Sequence, residues 1–337
     1  MTAAPMTSAT NAIVLAVPSK GRLKDEAARF FARAGLAFRQ SGGGRDYTAS
    51  IPSLPGVEVQ FLSAAEIADQ VAAGKAHLGV TGEDLVSEQI ADAESRVAKV
   101  TELGFGHANV VVAAPQSWID VASMADVEDV AADFRDKRGR KLRVATKYVN
   151  LTRRHFAAHG IADYRIVASQ GATEGAPASG AAELIVDITS SGATLTANGL
   201  KIVDDGVILR SQACLFASLG ADWTAQALDM AKTILARIAA AETADAEAQV
   251  RANFVAAQGF KLDSAPVEFG PLRVFGPAIG SSGSLTAHCA AAKASALAEW
   301  LIAKGAASVS ITRADQIYLP ENKLFALLEA KLARRGA

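Results

Sequence analysis

From residue 12 to about 200, apolar and polar positions fall into short blocks that fit buried strands alternating with one-sided helices. Residues 13–17 are an uninterrupted apolar run of strand length. Residues 25–35 place Ala27, Phe30, Phe31 and Ala34 on one helical face, with Gly35 as the stop. The same reading predicts strands over 57–62, 77–80 and 110–113, a helix over 65–73, and a second unit opening with a strand at 142. That unit continues with a helix over 151–159 and strands over 164–167 and 184–188. Such alternation predicts an α/β fold with mostly parallel sheets. The segments HLGVTGEDLV (77–86) and LIVDITSSGATL (184–195) each read as strand, polar loop, then helix, and KGRL after the first strand parallels KYVNL after the strand at 142. Two similar lobes follow from this degenerate repeat, with a ligand cleft at the C-terminal ends of their strands.

Past residue 200 the texture changes. Two strand-like runs within 201–219 return the chain to the first lobe. Residues 224–257 are an alanine-rich helical stretch, and 259–284 are rich in Gly, Pro and Ser. A strand (285–289), a helix (293–304), a strand (308–312) and a last helix (322–334) complete a small third domain. The expected layout is a disordered tail over 1–11, lobe I over 12–113 and about 201–223, lobe II over 114–200, and the long helix with the third domain over 224–337.

Composition adds bounds. A chain of 337 residues exceeds one ordinary domain. Its formal net charge of −1 gives no field to recruit nucleic acid or a membrane surface. Cys214 and Cys289 are too few for a disulfide framework and suit a reducing cytosol. The apolar run over 12–17 is too short for a signal core or a membrane span. A cytoplasmic location follows.

The densest chemistry lies over 174–195, EGAPASGAAELIVDITSSGATL. A strand delivers Asp187 into a loop of Thr189, Ser190, Ser191, Gly192, Ala193 and Thr194, and a helix starts at Leu195. Free backbone N–H groups, four hydroxyls and a glycine make a cradle for a phosphate. Hydrogen bonds to a charged group contribute about 1.5–3 kcal/mol each, against roughly 0.3–1 for the helix dipole, so donor count decides. A carboxylate beside a bound phosphate needs separate work, such as accepting from sugar hydroxyls or facing a metal. Phosphate plus diol indicates a sugar phosphate.

This stretch resembles the signature of the ATP phosphoribosyltransferase family, in which a Glu, a Gly, a small residue and D-[aliphatic]-x-x-[ST]-G-x-T-L recur at set spacings. Glu174, Gly180, Ala182, Asp187-Ile188, Ser191-Gly192 and Thr194-Leu195 fill those slots. Three further loops are similar to family patterns. They are Pro18-Ser19-Lys20-Gly21-Arg22-Leu23 (P-K-G-R-L, with Ser19 extra), Gly79-Val80-Thr81-Gly82-Glu83-Asp84, and Arg143-Val144-Ala145-Thr146-Lys147-Tyr148-Val149-Asn150-Leu151, with Val149 in place of the usual Pro.

The resemblance implies two periplasmic-binding-protein-like lobes with a cleft between them, plus a small C-terminal β/α domain of ferredoxin-like or ACT-like type. It implies transfer of phosphoribosyl from 5-phosphoribosyl diphosphate to N1 of ATP, with Mg²⁺, in the first step of histidine biosynthesis. Glu174, Asp187, Thr189, Ser190, Ser191, Gly192, Ala193 and Thr194 are then expected at the phosphoribosyl diphosphate, with Asp187 a candidate Mg²⁺ contact. Lys20, Gly21, Arg22, Gly82, Asp84, Thr146 and Lys147 are expected at ATP, and Asp187, Lys20 and Arg22 at the reaction itself. A homo-oligomer (dimer or hexamer) and feedback by L-histidine are further implications. One departure stands out. The family carries an arginine, then two residues, then Asp-Ile-Pro after its second strand, where this chain reads Ser63-Ala64-Ala65-Glu66-Ile67-Ala68. Arg45 in GGGRDY is the expected compensation.

Other features read as structural. His155 and His159 stand at i, i+4 without a third ligand nearby, which fits a helix end better than a metal. Arg135, Lys137, Arg138, Arg140 and Lys141, mixed with Asp133 and Asp136, read as an exposed loop. The alternative function is a two-lobed ligand-binding protein or regulatory paralogue without catalysis.

Overall fold

A computed structural model describes residues 13–40, 47–169, 171–255, 267–275 and 283–335. The tail expected over 1–11, the candidate Arg45 and most of the stretch over 259–284 lie outside them. In chain order the first part runs β1 (Ile13–Pro18), α1 (Gly21–Arg33), β2 (Thr48–Ser50), β3 (Val57–Leu62), α2 (Ala64–Ala72), β4 (Leu78–Gly82), α3 (Glu83–Gln89), α4 (Ala93–Arg96), β5 (Val97–Glu102) and β6 (Ala108–Pro115). It continues through α5 (Met124–Arg138), β7 (Leu142–Thr146), α6 (Val149–Ala158), β8 (Tyr164–Ala168), β9 (Leu184–Thr189), α7 (Ala193–Ala197), β10 (Leu200–Ser211), β11 (Ala213–Ser218) and α8 (Ala225–Ala246). The last part holds β12 (Glu247–Phe254), β13 (Arg273–Phe275), β14 (Gly283–Ala290), α9 (Ala294–Ala303), β15 (Ser308–Thr312) and α10 (Lys323–Arg335).

Two sheets have matching orders, β3-β1-β4-β11-β5 (with β2 added at the edge) and β8-β7-β9-β6-β10. In each, three strands are parallel and the fourth enters antiparallel. The central strands are continuous apolar runs because helices cover both faces. α1 and α8 pack on one face of the first sheet, and α2 and α3 on the other. The degenerate repeat is thus a real duplication of topology. Its boundaries differ from the expected ones, because the duplicated units exchange a strand. β6 pairs with β9 and β10, so residues 108–113 belong to lobe II rather than lobe I, and of the two runs over 201–219 only β11 returns to lobe I. An apolar strand reads the same whichever sheet receives it.

Two further corrections concern the C-terminal third. The helix expected over 224–257 ends at Ala246, and Glu247–Phe254 is a strand paired on both sides. Its inward residues are Ala248, Val250, Ala252 and Phe254. Alanine at alternate core positions looks like helix, and pairing with β14 and β15 overrides that propensity. The antiparallel order β13-β14-β12-β15 is that of a ferredoxin-like sheet, with α9 on one face. The last helix, α10, is not part of this domain. Phe325 and Leu328 are buried in the lobe I core against α8 and β5, Asn322 Nδ2 donates to Lys232 O at 3.1 Å, and Ile317 N donates to Ala240 O at 2.9 Å. Likewise the basic cluster over 135–138 is the last turn of α5, closed by Gly139 at a φ of 62°.

Leu328 is fully buried, so Leu328→Ala should remove about 2–5 kcal/mol from lobe I. Hydrogen exchange is expected to speed up in α8 and β5 and to stay unchanged in β12. Faster exchange confined to β12–β15 would contradict this assignment of α10.

Candidate active site

Parallel strands share an end, so the loops after β1 and β4 leave one edge of lobe I, and those after β7 and β9 leave one edge of lobe II. Direct bonds bring the two edges together. Glu88 in α3 accepts from the backbone N–H groups of Asn150 and Leu151, each at 2.9 Å, which satisfies two orphan donors of α6. Asn150 Nδ2 donates to Glu88 O at 2.9 Å, and Arg154 Nη2 to Ser87 O at 2.6 Å. The crevice between these edges is where an α/β sheet binds its ligand.

On the lobe II side, Glu174, Asp187, Thr189, Ser190, Ser191 and Thr194 line one cavity of about 250 Å³. The loop is organised by its own hydroxyls: Gly192 N donates to Thr189 Oγ1 at 2.8 Å and Ala193 N to Ser191 Oγ at 3.4 Å. Gly192 has a φ of 75°, the left-handed conformation that permits this turn. α7 begins at Ala193, earlier than the sequence suggested, and is only 5 residues long. Its dipole is therefore slight, and hydroxyl and amide donors carry any affinity for an anion. Larger cavities lie beside α3–α4 (about 500 Å³) and between α8 and residues 317–324 (about 470 Å³). Neither combines a hydroxyl loop with a carboxylate at strand ends.

Asp187 is half-buried, and burial raises its carboxyl above the usual range. The Ile188 amide (2.8 Å), the Lys147 ammonium and a hydrogen bond from Thr173 oppose this, while the charge of Glu174 adds to it. Thr173 and its partner Ser169 (Oγ to Oγ1, 2.9 Å) escaped sequence reasoning. The backbone goes to some expense to place Thr173 there, since Ala172 holds a φ of 49°, costly for a residue with a Cβ. Nothing in the residue string 169–173 signals that strain.

On the lobe I side, α1 begins at Gly21 itself, because a φ of 69° there turns the chain straight out of β1. Lys20 and Arg22 consequently sit at a helix N-terminus and are exposed, and Arg22 Nε donates to Glu26 Oε1 at 2.8 Å. Ser63, where the family pattern has arginine, is the N-cap of α2 in a reciprocal capping box with Glu66. Two expected ATP contacts are internal. Thr146 is fully buried and its Oγ1 accepts from Tyr148 N at 2.8 Å. Asp84 is only 6 % exposed, and its two oxygens accept from Tyr148 Oη and Ser211 Oγ, each at 2.8 Å. A Cβ on Gly82 would lie 2.3 Å from Asp84 Oδ1, so Gly82 makes room for that carboxylate. Lys147, by contrast, is exposed on the Asp187 side.

Among the described residues no group of three His, Cys, Asp or Glu could hold a metal ion. Asp187 with Glu174 suits an ion whose remaining ligands are a substrate's phosphate oxygens. Among the same residues no helix is long and apolar enough to cross a membrane.

The sequence model of a family described as HisG, ATP phosphoribosyltransferase, matches residues 63–240. The ATP phosphoribosyltransferase of Rhodopseudomonas palustris is 57% identical over 323 residues, spanning 96% of this chain and 99% of that protein. Those of Nitrobacter winogradskyi and Bradyrhizobium diazoefficiens are 55% and 56% identical over 96% and 95% of the chain, and 99% and 98% of their own lengths. Among solved structures, a chain of the ATP phosphoribosyl transferase (HisG:HisZ) complex from Thermotoga maritima superposes with a TM-score of 0.52 at 21% identity, covering 67% of this chain and 96% of that one.

Because the folded state raises the proton affinity of Asp187, its stability is greatest below the unfolded value of ~3.9 and falls as pH rises through the folded value. Asp187→Asn should therefore raise the thermal midpoint at neutral pH, with the gain vanishing below about pH 4. Equal melting temperatures of the two proteins at pH 7 would show that burial imposes no cost on this charge.

Proposed function

We propose, from the premise that the chain belongs to the ATP phosphoribosyltransferase family, that it transfers the phosphoribosyl group of 5-phosphoribosyl diphosphate to N1 of ATP and releases pyrophosphate. The bond from C1 of the ribose to the diphosphate oxygen breaks, and a bond from C1 to adenine N1 forms. No protein nucleophile is needed. The barrier lies in holding two polyanions in line, and positioning of this kind can contribute up to about 7–11 kcal/mol. The reading is carried by the cavity that sets two carboxylates, Asp187 and Glu174, against a hydroxyl loop with the Lys147 cation nearby.

Thr189, Ser190, Ser191, Gly192, Ala193 and Thr194 hold the 5-phosphate through hydroxyl and amide donors. Asp187 and Glu174 accept from the ribose hydroxyls, and Asp187 stabilises positive charge developing at C1. Lys147 from lobe II and Lys20 and Arg22 from lobe I neutralise phosphates. Gly21 and Gly82 shape the lobe I loops, whereas Asp84 and Thr146, engaged internally, support the nucleotide side without touching it. Mg²⁺, when bound, supplies charge neutralisation to the diphosphate leaving group, held by phosphate oxygens with Asp187 as its protein carboxylate. The non-catalytic alternative draws no support from relatives that are 55% identical or more over nearly their full lengths and carry the enzyme's name.

The enzyme works in the cytoplasm as a homo-oligomer, and L-histidine inhibits it through the C-terminal domain. The ferredoxin-like strand order of that domain supports this regulatory reading.

With both substrates and Mg²⁺, pyrophosphate release by Asp187→Ala should fall by roughly 10²–10³-fold with an unchanged circular dichroism spectrum. Near-normal turnover would refute the role of Asp187. Added histidine should lower the rate of the parent enzyme, and a flat titration would remove the regulatory assignment.

A further inference from the structure

One buried polar network crosses the lobe boundary. Asp84, at the start of α3 in lobe I, accepts from Tyr148 Oη of lobe II at 2.8 Å and from Ser211 Oγ at 2.8 Å, and its own N–H donates to Ser211 Oγ at 3.0 Å. Ser211 is the last residue of β10, at the crossover where the chain re-enters lobe I. Tyr148 is 1 % exposed, the bulkiest of the fully buried side chains among the described residues, and its backbone is pinned through Thr146 and Thr152. The Lys147 ammonium stands 5.0 Å from the centroid of the Tyr148 ring, within cation–π range. Its charge acts on Asp187.

We propose that Tyr148 is a positioning residue: its phenol, bonded to Asp84 across the boundary, latches the two lobes at the angle seen here, and its ring face holds Lys147 toward Asp187. The assignment rests on the cleft being the active site.

Three features argue for it over ordinary core packing. First, two buried polar groups meet at a lobe boundary where two apolar side chains of the same shape would pack as well, so the pairing selects an arrangement rather than filling space. Second, the Gly82 position has no room for a Cβ beside Asp84 Oδ1, so the chain gives up a side chain to seat that carboxylate. Third, burial and the adjoining Asp84 push phenol ionisation upward, which keeps Tyr148 a hydrogen-bond donor throughout the working pH range. Glu88 on the next turn of α3 adds a second tie, from the same helix to the start of α6. A ligand that needs both lobes binds only the latched population, so weakening the latch raises the apparent dissociation constant in inverse proportion to the fraction still latched.

The test uses the full-length enzyme with spin labels at Glu94→Cys in lobe I and Glu128→Cys in lobe II, both exposed sites. With the labelled chain diluted into excess unlabelled chain, so that only pairs within one subunit are read, double electron–electron resonance without substrates should give one narrow distance distribution for the parent pair. Tyr148→Phe keeps the ring and loses the latch. Its distribution should broaden to longer distances, and KM for 5-phosphoribosyl diphosphate should rise about tenfold while kcat changes less than about threefold. Tyr148→Leu also frees Lys147, and kcat should fall as well. Ser211→Ala, which weakens the same carboxylate's seat, should open the lobes partially and serves as the second variant if Tyr148→Phe fails to fold. A closed distribution in both Tyr148→Phe and Ser211→Ala overturns the latch, and an opened distribution with an unchanged KM overturns its role in substrate capture. Absence of pyrophosphate release from the parent sinks the catalytic reading instead, and the distance measurement still decides the latch.

Discussion

Each lobe's sheet is finished by a strand supplied from the other half of the chain, and this exchange governs the geometry of everything between the lobes. β6 lies between β9 and β10, and β11 between β4 and β5. Both enter antiparallel, so the two chain crossings, residues 103–107 and 212, fall at one place. There Leu103 N donates to Ala213 O and Ala213 N to Phe105 O, each at 3.0 Å, which joins the crossings into a short hydrogen-bonded ribbon. Gly106 lies in that ribbon at a φ of 67°, and a Cβ on it would come 2.8 Å from Leu23 Cδ2. The ribbon thus rests on the first turn of α1, next to Arg22. Lobe angle and the position of the cationic loop after β1 are set by the same few backbone contacts.

Within this frame the duplicated loops have diverged chemically. The loop after β4 and the loop after β9 are topological equivalents, each ending in a glycine that caps a short helix. In the first, Asp84 is nearly sealed and both its oxygens are satisfied by hydroxyls. In the second, Asp187 stands half-buried with its proton affinity raised, beside a second carboxylate. A satisfied buried carboxylate specifies one arrangement of its neighbours, whereas an incompletely solvated one is set to accept from a ligand. The cost is a local charge that folding does not favour, together with a left-handed Ala172 that aims Thr173 at it. Strain and a partly desolvated charge collect at the site where binding can relieve them.

Much of this was legible in the residue string. Parallel strands such as IVLAVP and LIVDIT announce themselves because both faces are covered, and the 187–194 loop is legible because hydroxyls, glycine and a carboxylate stand at one strand end. What escaped has a physical reason in each case. β12 hides its alternation because its inward positions are partly alanine. α10 carries the same amphipathic pattern whether it packs on the third domain or returns to lobe I. Asp84 stands where an acid in a first helical turn is ordinary, and only the tertiary placement of Tyr148 and Ser211, 64 and 127 residues away in the chain, reveals its engagement. Side chains that work through long-range partners leave no local signature.

The C-terminal sheet is inserted between α8 and α10, and both of those helices belong to lobe I. It is therefore tethered at two ends, and any movement relative to the lobe must bend one of them or break the bond from Ile317 N to Ala240 O. α8 is fastened in turn to β5, where Thr101 Oγ1 donates at 2.9 Å to Glu242, a carboxyl that burial pushes up. β5 ends at Glu102 and leads directly into the hinge ribbon. A ligand on the small domain can change the cleft only by favouring one arrangement of these connecting elements over another. The pieces with two rigid attachments, α8 and β5, are where such a preference must be expressed, because the loops of the cleft themselves make no bond to the inserted sheet among the described residues.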